Sequence, residues 1–160
     1  MSVEERWLTE AQARAWSQFI RTSQRLEQRL DRELKSGHDL SHTQYEILVR
    51  LAEPGTATGN VRMTDLAADL VTAKSAATYQ IGQLVERGLV ARVKCPEDAR
   101  TTYVTLTDAG RELLDKAAPD HLGRVRELFL DNLSAAELEM LTDALDRTCQ
   151  RIIAARERAA

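Results

Sequence analysis

Two groups of side chains in the middle of the chain have the types and spacing to bind a polyanion. Lys74, Ser75, Thr78, Tyr79, Gln80 and Gln83 recur within one segment, and Arg92, Lys94, Asp98 and Arg100 follow. On a helix, the first group offers hydroxyl, amide and ammonium groups to base edges in a DNA major groove, which is wide enough to admit a helix. Lys74 and Ser75 fall in the first turn, where free backbone N–H groups also favour phosphate. Gln80 can pair with an adenine edge, and Tyr79 can donate to phosphate. Arg100 falls in a polar turn, placed for its guanidinium to enter a narrow minor groove, with Asp98 two residues earlier holding it extended. Arg92 and Lys94 can meet phosphates on the same side. Taken singly, each is an ordinary solvated residue. Their order along a defined set of elements carries the reading.

Those elements are legible. Met63–Leu70 predicts a short helix capped by Thr64, and after a break near Val71 and Thr72 a second helix runs from Ala73 to Arg87. Gly88 stands where a left-handed C-terminal cap belongs. Two short helices joined by a tight turn make a helix-turn-helix. From Leu89 to Lys94 the pattern alternates, with Leu89, Ala91 and Val93 on one face and Arg92 and Lys94 on the other. Thr102–Leu106 alternates likewise, and Pro96–Arg100 forms the polar turn between them. A winged helix between about Met63 and Thr107 follows.

Amphipathic helices flank this centre. Trp16, Phe19, Ile20, Leu26, Leu30 and Leu34 make one stripe on a helix from about Leu8 to Lys35, stopped by Gly37. Ser41 with Gln44 reads as a capping box, stapled by Leu40 and Tyr45, and Tyr45, Leu48, Val49 and Leu51 continue the apolar face. Glu53-Pro54-Gly55 ends that helix in a loop reaching Asn60. Thr107 caps a further helix, expected to bend or break near Pro119 and to continue through Leu122, Val125, Leu128, Phe129 and Leu133. Ser134 with Glu137 forms a second capping box, with Leu133 and Leu138 as its staple. The last helix places Leu138, Leu141, Leu145, Cys149 and Ile152 on one stripe, with Cys149 in the core. Packing the two end stripes together and against a second copy buries both, which predicts a homodimer. The fold class is mainly α with a small β-hairpin wing (α+β). Residues 1–37 and 111–160 form dimerisation helices, and residues 38–110 form the winged helix-turn-helix domain.

Charge and composition bound this reading. Apolar residues are 43% and charged residues 29% of 160, as in a globular rather than a disordered chain. The net charge is −3, so binding to DNA rests on a few placed cations and on dimerisation. Residues 62–107 carry six Lys and Arg against five Asp and Glu, while residues 108–160 carry eight against eleven. MSVEERW is acidic and polar, unlike a secretory signal, and no apolar run reaches the roughly 18 residues that span a bilayer. Cys95 and Cys149 are too few and too far apart for a disulfide framework, and a cytoplasmic protein without membrane contact is expected. Cys95 beside Lys94 invites a redox reading, but on an apolar strand face a small buried hydrophobe is the better one. His38 and His42 flank a helix cap and share no helical face, so no metal is expected. No phosphate loop, dinucleotide turn or matched nucleophile and base occurs, so neither catalysis nor a cofactor is expected.

MTDLAADL, and then LVERGLVARVKCPEDARTTYVTLTDAG, resembles the core of the MarR (multiple-antibiotic-resistance regulator) family. The shared pattern is a leading helix, a recognition helix ending in a Leu-Glu-x-x-Gly-Leu-Val-like segment, an Asp-x-Arg wing and a closing Leu-Thr-x-x-Gly. WLTEAQARAWSQF and APDHLGRVRELFLDNL resemble an actinobacterial branch. The resemblance implies a homodimeric transcriptional regulator, a repressor, whose two lobes read a pseudo-palindromic operator in double-stranded DNA. It also implies release by a small, phenolic or drug-like effector held between the dimerisation helices and the DNA-binding lobe. Trp16, Phe19, His42 and Tyr45 are the positions to line that cleft, and their plainer reading is core and interface. The branch commonly carries arginines near Ala76, Gln83 and Ala99, all absent here, and Gly82 costs its helix about 1 kcal/mol relative to Ala. Lys74 and Arg100 then bear more of the binding. The acidic charge and the missing arginines motivate a second reading, a winged-helix protein-interaction module with little or no specific DNA binding.

Overall fold

A computed structural model describes residues 7–53, 60–70, 74–94 and 101–157. In chain order these form α1 (Glu10–His38), α2 (His42–Ala52), β1 (Asn60–Arg62), α3 (Met63–Asp69), α4 (Lys74–Glu86), β2 (Val90–Lys94), β3 (Thr102–Leu106), α5 (Asp108–Leu128) and α6 (Ala135–Glu157). A 3-10 turn at Leu130–Asn132 precedes α6. Residues 1–121 cluster as one compact unit and residues 122–160 as a second. The mainly α fold with its small winged sheet is the one expected.

Local signals place most helix ends. Thr9 and Gln12 close a capping box at the start of α1, a signal beyond the apolar stripe. Helix α1 does not stop at Gly37. It runs on to His38 and ends at Asp39, which adopts the left-handed conformation with φ 54° and ψ 37°. Glycine is tolerated inside a helix at about 1 kcal/mol, whereas burying Leu34 and Leu40 on either side of the corner fixes where the chain turns. At α2, Ser41 and Gln44 form the expected box: the Gln44 N–H donates to Ser41 Oγ at 3.2 Å and the Ser41 N–H to Gln44 Oε1 at 3.1 Å. Tyr45, Ile47, Leu48 and Leu51 are buried beneath it.

The sheet has three antiparallel strands in the order β1-β3-β2, not the two of a bare hairpin. Strand β1 pairs Val61 with Val104 and Arg62 with Tyr103. Three residues are too short for an alternation to show in sequence. Because β1 runs directly into α3, the N-cap of α3 is Arg62, without a side-chain cap. Thr64 therefore lies inside the helix, its hydroxyl donating to Asp65 Oδ1 at 3.2 Å, and does not cap.

Helix α4 buries Ala77, Ile81 and Leu84 and ends as expected at Gly88, with φ 70°. There the Gly88 N–H donates to Val85 O and the Leu89 N–H to Leu84 O, both at 2.9 Å. Burial along β2 departs from the expected alternation. Leu89 and Val90 are both buried, Ala91 is half-buried, and Arg92, Val93 and Lys94 are exposed, Val93 by 40%. The strand leaves the core as it enters the wing, so distance along it outweighs which face a residue occupies. Cys95 and the expected turn at 96–100 lie outside the described residues, as do residues 54–59 and 71–73.

Thr107 caps α5, accepting from the Gly110 N–H at 3.1 Å while its hydroxyl donates to Leu89 O at 2.9 Å. The expected break at Pro119 does not occur, and α5 continues to Leu128. Proline withholds one N–H from the ladder, and the anchors Gly110, Leu114 and Ala117, all buried, precede it.

In the second unit, Ser134 and Glu137 form the predicted box: Glu137 Oε2 accepts from the Ser134 N–H at 2.8 Å and hydroxyl at 2.7 Å. These bonds hold the Glu137 carboxyl below the usual carboxylate range. No described residue of α6 is buried, and Cys149, expected in the core, is exposed. A unit built from helix ends has no further element to lay over that face. Among the described residues no helix is long and apolar enough to cross a membrane.

Candidate nucleic-acid interface

The second helix of the motif presents one face to solvent. Ser75, Ala76, Thr78 and Tyr79 are exposed, Tyr79 by 63%, opposite the buried Ala77, Ile81 and Leu84. This is the 3.6-residue periodicity of a helix seated on a core by one side and free on the other. Gln83 is half-buried on the flank, its amide donating to Glu86 Oε2 at 3.2 Å. Lys74 opens the helix, with its side chain outside what is described. From the wing, Arg92 and Lys94 are exposed, and the Arg92 guanidinium reaches back over α4, lying 3.8 Å from where a Cβ on Gly82 would stand. The residues anticipated on α4 and at the base of the wing thus share one neighbourhood. Asp98 and Arg100 fall outside the described residues.

Gln80 stands apart. It is half-buried, and its carbonyl accepts from Gln44 Nε2 at 2.9 Å, which directs the amide toward the lobe and away from the free face. A polar cleft of about 270 Å³ opens beside this pair, between the end of α1, the start of α2 and α4. Arg87 crosses it, donating from Nη1 to the Asp39 carbonyl at 2.7 Å and to Gln44 Oε1 at 3.4 Å. Arg87 Nη2 also stands 3.5 Å from the exposed Asp39 carboxylate.

An exposed polar helix face with Arg92 beside it, carried on a helix-turn-helix and a three-stranded wing, is chemically suited to a nucleic-acid duplex. Known proteins carry the same frame. Residues 40–102 match the MarR family. The crystal structure of AbsC, a MarR family transcriptional regulator from Streptomyces coelicolor, superposes with a TM-score of 0.86 at 32% identity, over 92% of this chain and 98% of that one. The chain belongs to the MarR family. It is a transcriptional regulator of that family. A second Streptomyces coelicolor MarR family regulator, solved in complex with DNA, superposes equally well, with a TM-score of 0.86 and 32% identity over 91% and 94%. The HTH-type transcriptional regulator MhqR of Bacillus subtilis (strain 168) is 29% identical over 69% of this chain and 72% of its own.

The four positions anticipated for an effector do not come together in this MarR-family chain. Trp16 and Phe19 are both exposed on α1, with ring centroids 6.4 Å apart. They lie at least eight residues before Glu27, about 12 Å or more along the helix. His42 and Tyr45 instead gather around His121, which sequence reasoning missed. The His121 ring centroid is 4.3 Å from that of Tyr45 and 5.4 Å from that of His42. His42 Nδ1 contacts Glu27 Oε1 at 3.0 Å, and the His42 N–H donates to Asp31 Oδ1 at 2.9 Å. Neighbouring His38 contacts Asp120 Oδ2 at 3.0 Å. Burial, and then the proximity of His42, lowers the His121 pKa, while burial raises that of Tyr45. His121 Nδ1 is buried without a hydrogen-bond partner, consistent with a ring kept neutral. No sequence signal announced His121, because 79 residues separate it from His42 and it lies beyond the proline expected to break α5.

Proposed function

We propose that this chain is a sequence-specific, double-stranded DNA-binding repressor that acts in the cytoplasm as a homodimer. Residues 38–110 read DNA, and residues 1–37 and 111–160 dimerise. Two lobes then engage the halves of a pseudo-palindromic operator. The observation that carries the reading is the exposed polar face of α4, with Ser75, Thr78 and Tyr79 in solvent and the Arg92 guanidinium beside Gly82. In this reading Ser75, Thr78, Tyr79 and Gln83 face the major groove with Lys74 at its edge, Arg92 and Lys94 meet phosphate, and Asp98 and Arg100, outside the described residues, add contacts to the DNA. The DNA complex of the Streptomyces coelicolor relative supports the same use of the frame. The dimer rests on apolar surface that one chain leaves open: on α6, Met140, Leu145, Ile152 and Ile153 are exposed, Met140 by 64% and Ile152 by 58%.

A small aromatic, phenolic or drug-like effector fits the Tyr45, His42 and His121 cluster, which lies where α1, α2 and α5 meet. Trp16 and Phe19, out on the exposed face of α1, belong with the dimer surface instead.

Selection of duplexes from a random-sequence pool, followed by mobility shifts at about 50 and 200 mM salt, tests the function. A specific operator-like duplex is expected, bound more weakly at the higher salt in proportion to the phosphates contacted. A folded dimer that selects no sequence at low salt would overturn the DNA reading and favour a protein-interaction module.

A further inference from the structure

Gln44 is the single buried polar side chain among the described residues, 9% exposed. Both ends of its amide are engaged. Oε1 accepts from the Ser41 N–H at 3.1 Å, closing the α2 capping box, and from Arg87 Nη1 at 3.4 Å. Nε2 donates to Gln80 Oε1 at 2.9 Å. Arg87 meanwhile makes a charge-assisted bond to the Asp39 carbonyl, in the left-handed corner that joins α1 to α2.

These bonds reach α4 at two separate points. Gln80 lies mid-helix and Arg87 just past its last turn, seven residues and so about 10 Å apart along the axis. Ala77, Ile81 and Leu84 hold the same helix by apolar packing, whose driving force is non-directional. Hydrogen bonds are directional and weaken steeply with misalignment. Two of them about 10 Å apart fix both the advance of the helix along its axis and its tilt.

We propose that Gln44, with Arg87, is a latch that seats the recognition helix against the α1–α2 corner, and that Gln80 positions this helix instead of reading a base. The inference rests on the DNA-binding function and adds residues that touch no DNA. Base-edge bonds hold within a few tenths of an ångström, so loosening the seat degrades every contact of a half-site together, whereas removing a base-reading side chain degrades one.

Four variants, each bound to the duplex that the wild-type protein selects from a random pool, test the latch. Gln44→Leu keeps the volume and removes the amide, and its affinity is expected to fall about tenfold or more, as for losing at least one good base contact. Gln44→Glu is expected to recover most of that loss. Its carboxylate still accepts from Ser41 and Arg87, and the Gln80 amide can turn over to donate to it. Gln80→Ala is expected to lower preference at all positions of the half-site evenly. Arg87→Ala is expected to weaken binding several-fold with the salt slope unchanged, whereas loss of a direct phosphate contact lowers the slope by about one. Arg87 lies at the lobe surface, so this variant, with Gln80→Ala, carries the test should Gln44→Leu fail to fold.

Unchanged affinity of folded Gln44→Leu, equal losses in the Leu and Glu variants, a Gln80→Ala defect confined to one base position, or a salt slope lowered in Arg87→Ala would each overturn the latch while leaving the DNA-binding function standing. A wild-type protein that selects no duplex would overturn both.

Discussion

Gly110 and Gly123 lie on the same helix, and alanine at the two positions is expected to act in opposite directions. A Cβ on Gly110 would fall inside any allowed distance of the Leu89 carbonyl oxygen, 2.7 Å from Leu106 Cδ1 and 3.0 Å from the Leu89 carbonyl carbon. Ordinary contact lies near 3.5–4.0 Å, so the start of α5 must retreat from Leu89 and the end of β3 by about 1 Å. That retreat loosens the bonds Leu89 O accepts from the Thr107 N–H, at 3.2 Å, and hydroxyl, at 2.9 Å. Two such bonds contribute about 1 kcal/mol each. Overpacking adds about 1–3 kcal/mol, and alanine's helix propensity returns about 1 kcal/mol. The net loss is about 2–4 kcal/mol. At Gly123 nothing stands within 4 Å of the added methyl, and the position is exposed. Gly123→Ala should therefore gain about 0.5–1 kcal/mol. Urea titrations followed by far-UV circular dichroism at one fixed protein concentration read both changes. The midpoint is expected to fall by about 1–2 M for Gly110→Ala and to rise by a few tenths of a molar for Gly123→Ala. A Gly110→Ala midpoint within about 0.3 M of wild type would refute the close approach of α5 to Leu89 and Leu106.

Three further expectations follow from the same geometry. The lowered His121 pKa means that the unfolded chain binds more protons between the folded value and about 6.5, so its contribution is complete above about pH 6.5 and is lost as pH falls below it; the difference between wild-type and His121→Phe stabilities should rise with pH across that window, and parallel curves would remove the cause assigned. Arg92→Ala, taking one cation from beside α4, should weaken duplex binding and lower the salt slope by about one, unlike Arg87→Ala; an unchanged slope would place Arg92 off the phosphates. Ile152→Glu sets a charge in the open face of α6 and should convert the dimer to monomer in analytical ultracentrifugation with helicity retained; a dimer that persists would move the interface elsewhere.

What could be read without the structure was short-range. The Ser41–Gln44 and Ser134–Glu137 boxes and the Gly88 cap each depend on residues within one helical turn. The helix-turn-helix and the two long wing strands were legible for the same reason, since their apolar periodicity repeats within a few residues. Strand β1 was not, because its three residues are defined by pairing with β3 more than forty positions away. Neither Gly37 nor Pro119 stops its helix: the glycine costs about 1 kcal/mol and the proline about 3 kcal/mol, and the buried anchors Leu34 on α1 and Gly110, Leu114 and Ala117 on α5 hold the helices on which they lie. Val93 misled because alternation gives a strand's faces without saying how far along it the core extends.

Residue types and their spacing establish the family, the helices and the two wing strands in order, and which side chains of α4 are polar. Those follow from residue type and from spacing over one or two turns. Which of those side chains stay exposed is settled by folding. Gln80 and Tyr79 are neighbours with equal claim to a base in sequence. Folding turns Gln80 onto Gln44, 36 residues away, and leaves Tyr79 in solvent. Gln44 itself reads as a helix cap and becomes the centre of a buried network, because Arg87 and Asp39, 48 positions apart, meet beside it. Partners that distant leave no periodic trace in a chain, and a hydrogen bond between them exists only once the core has brought them within about 3 Å.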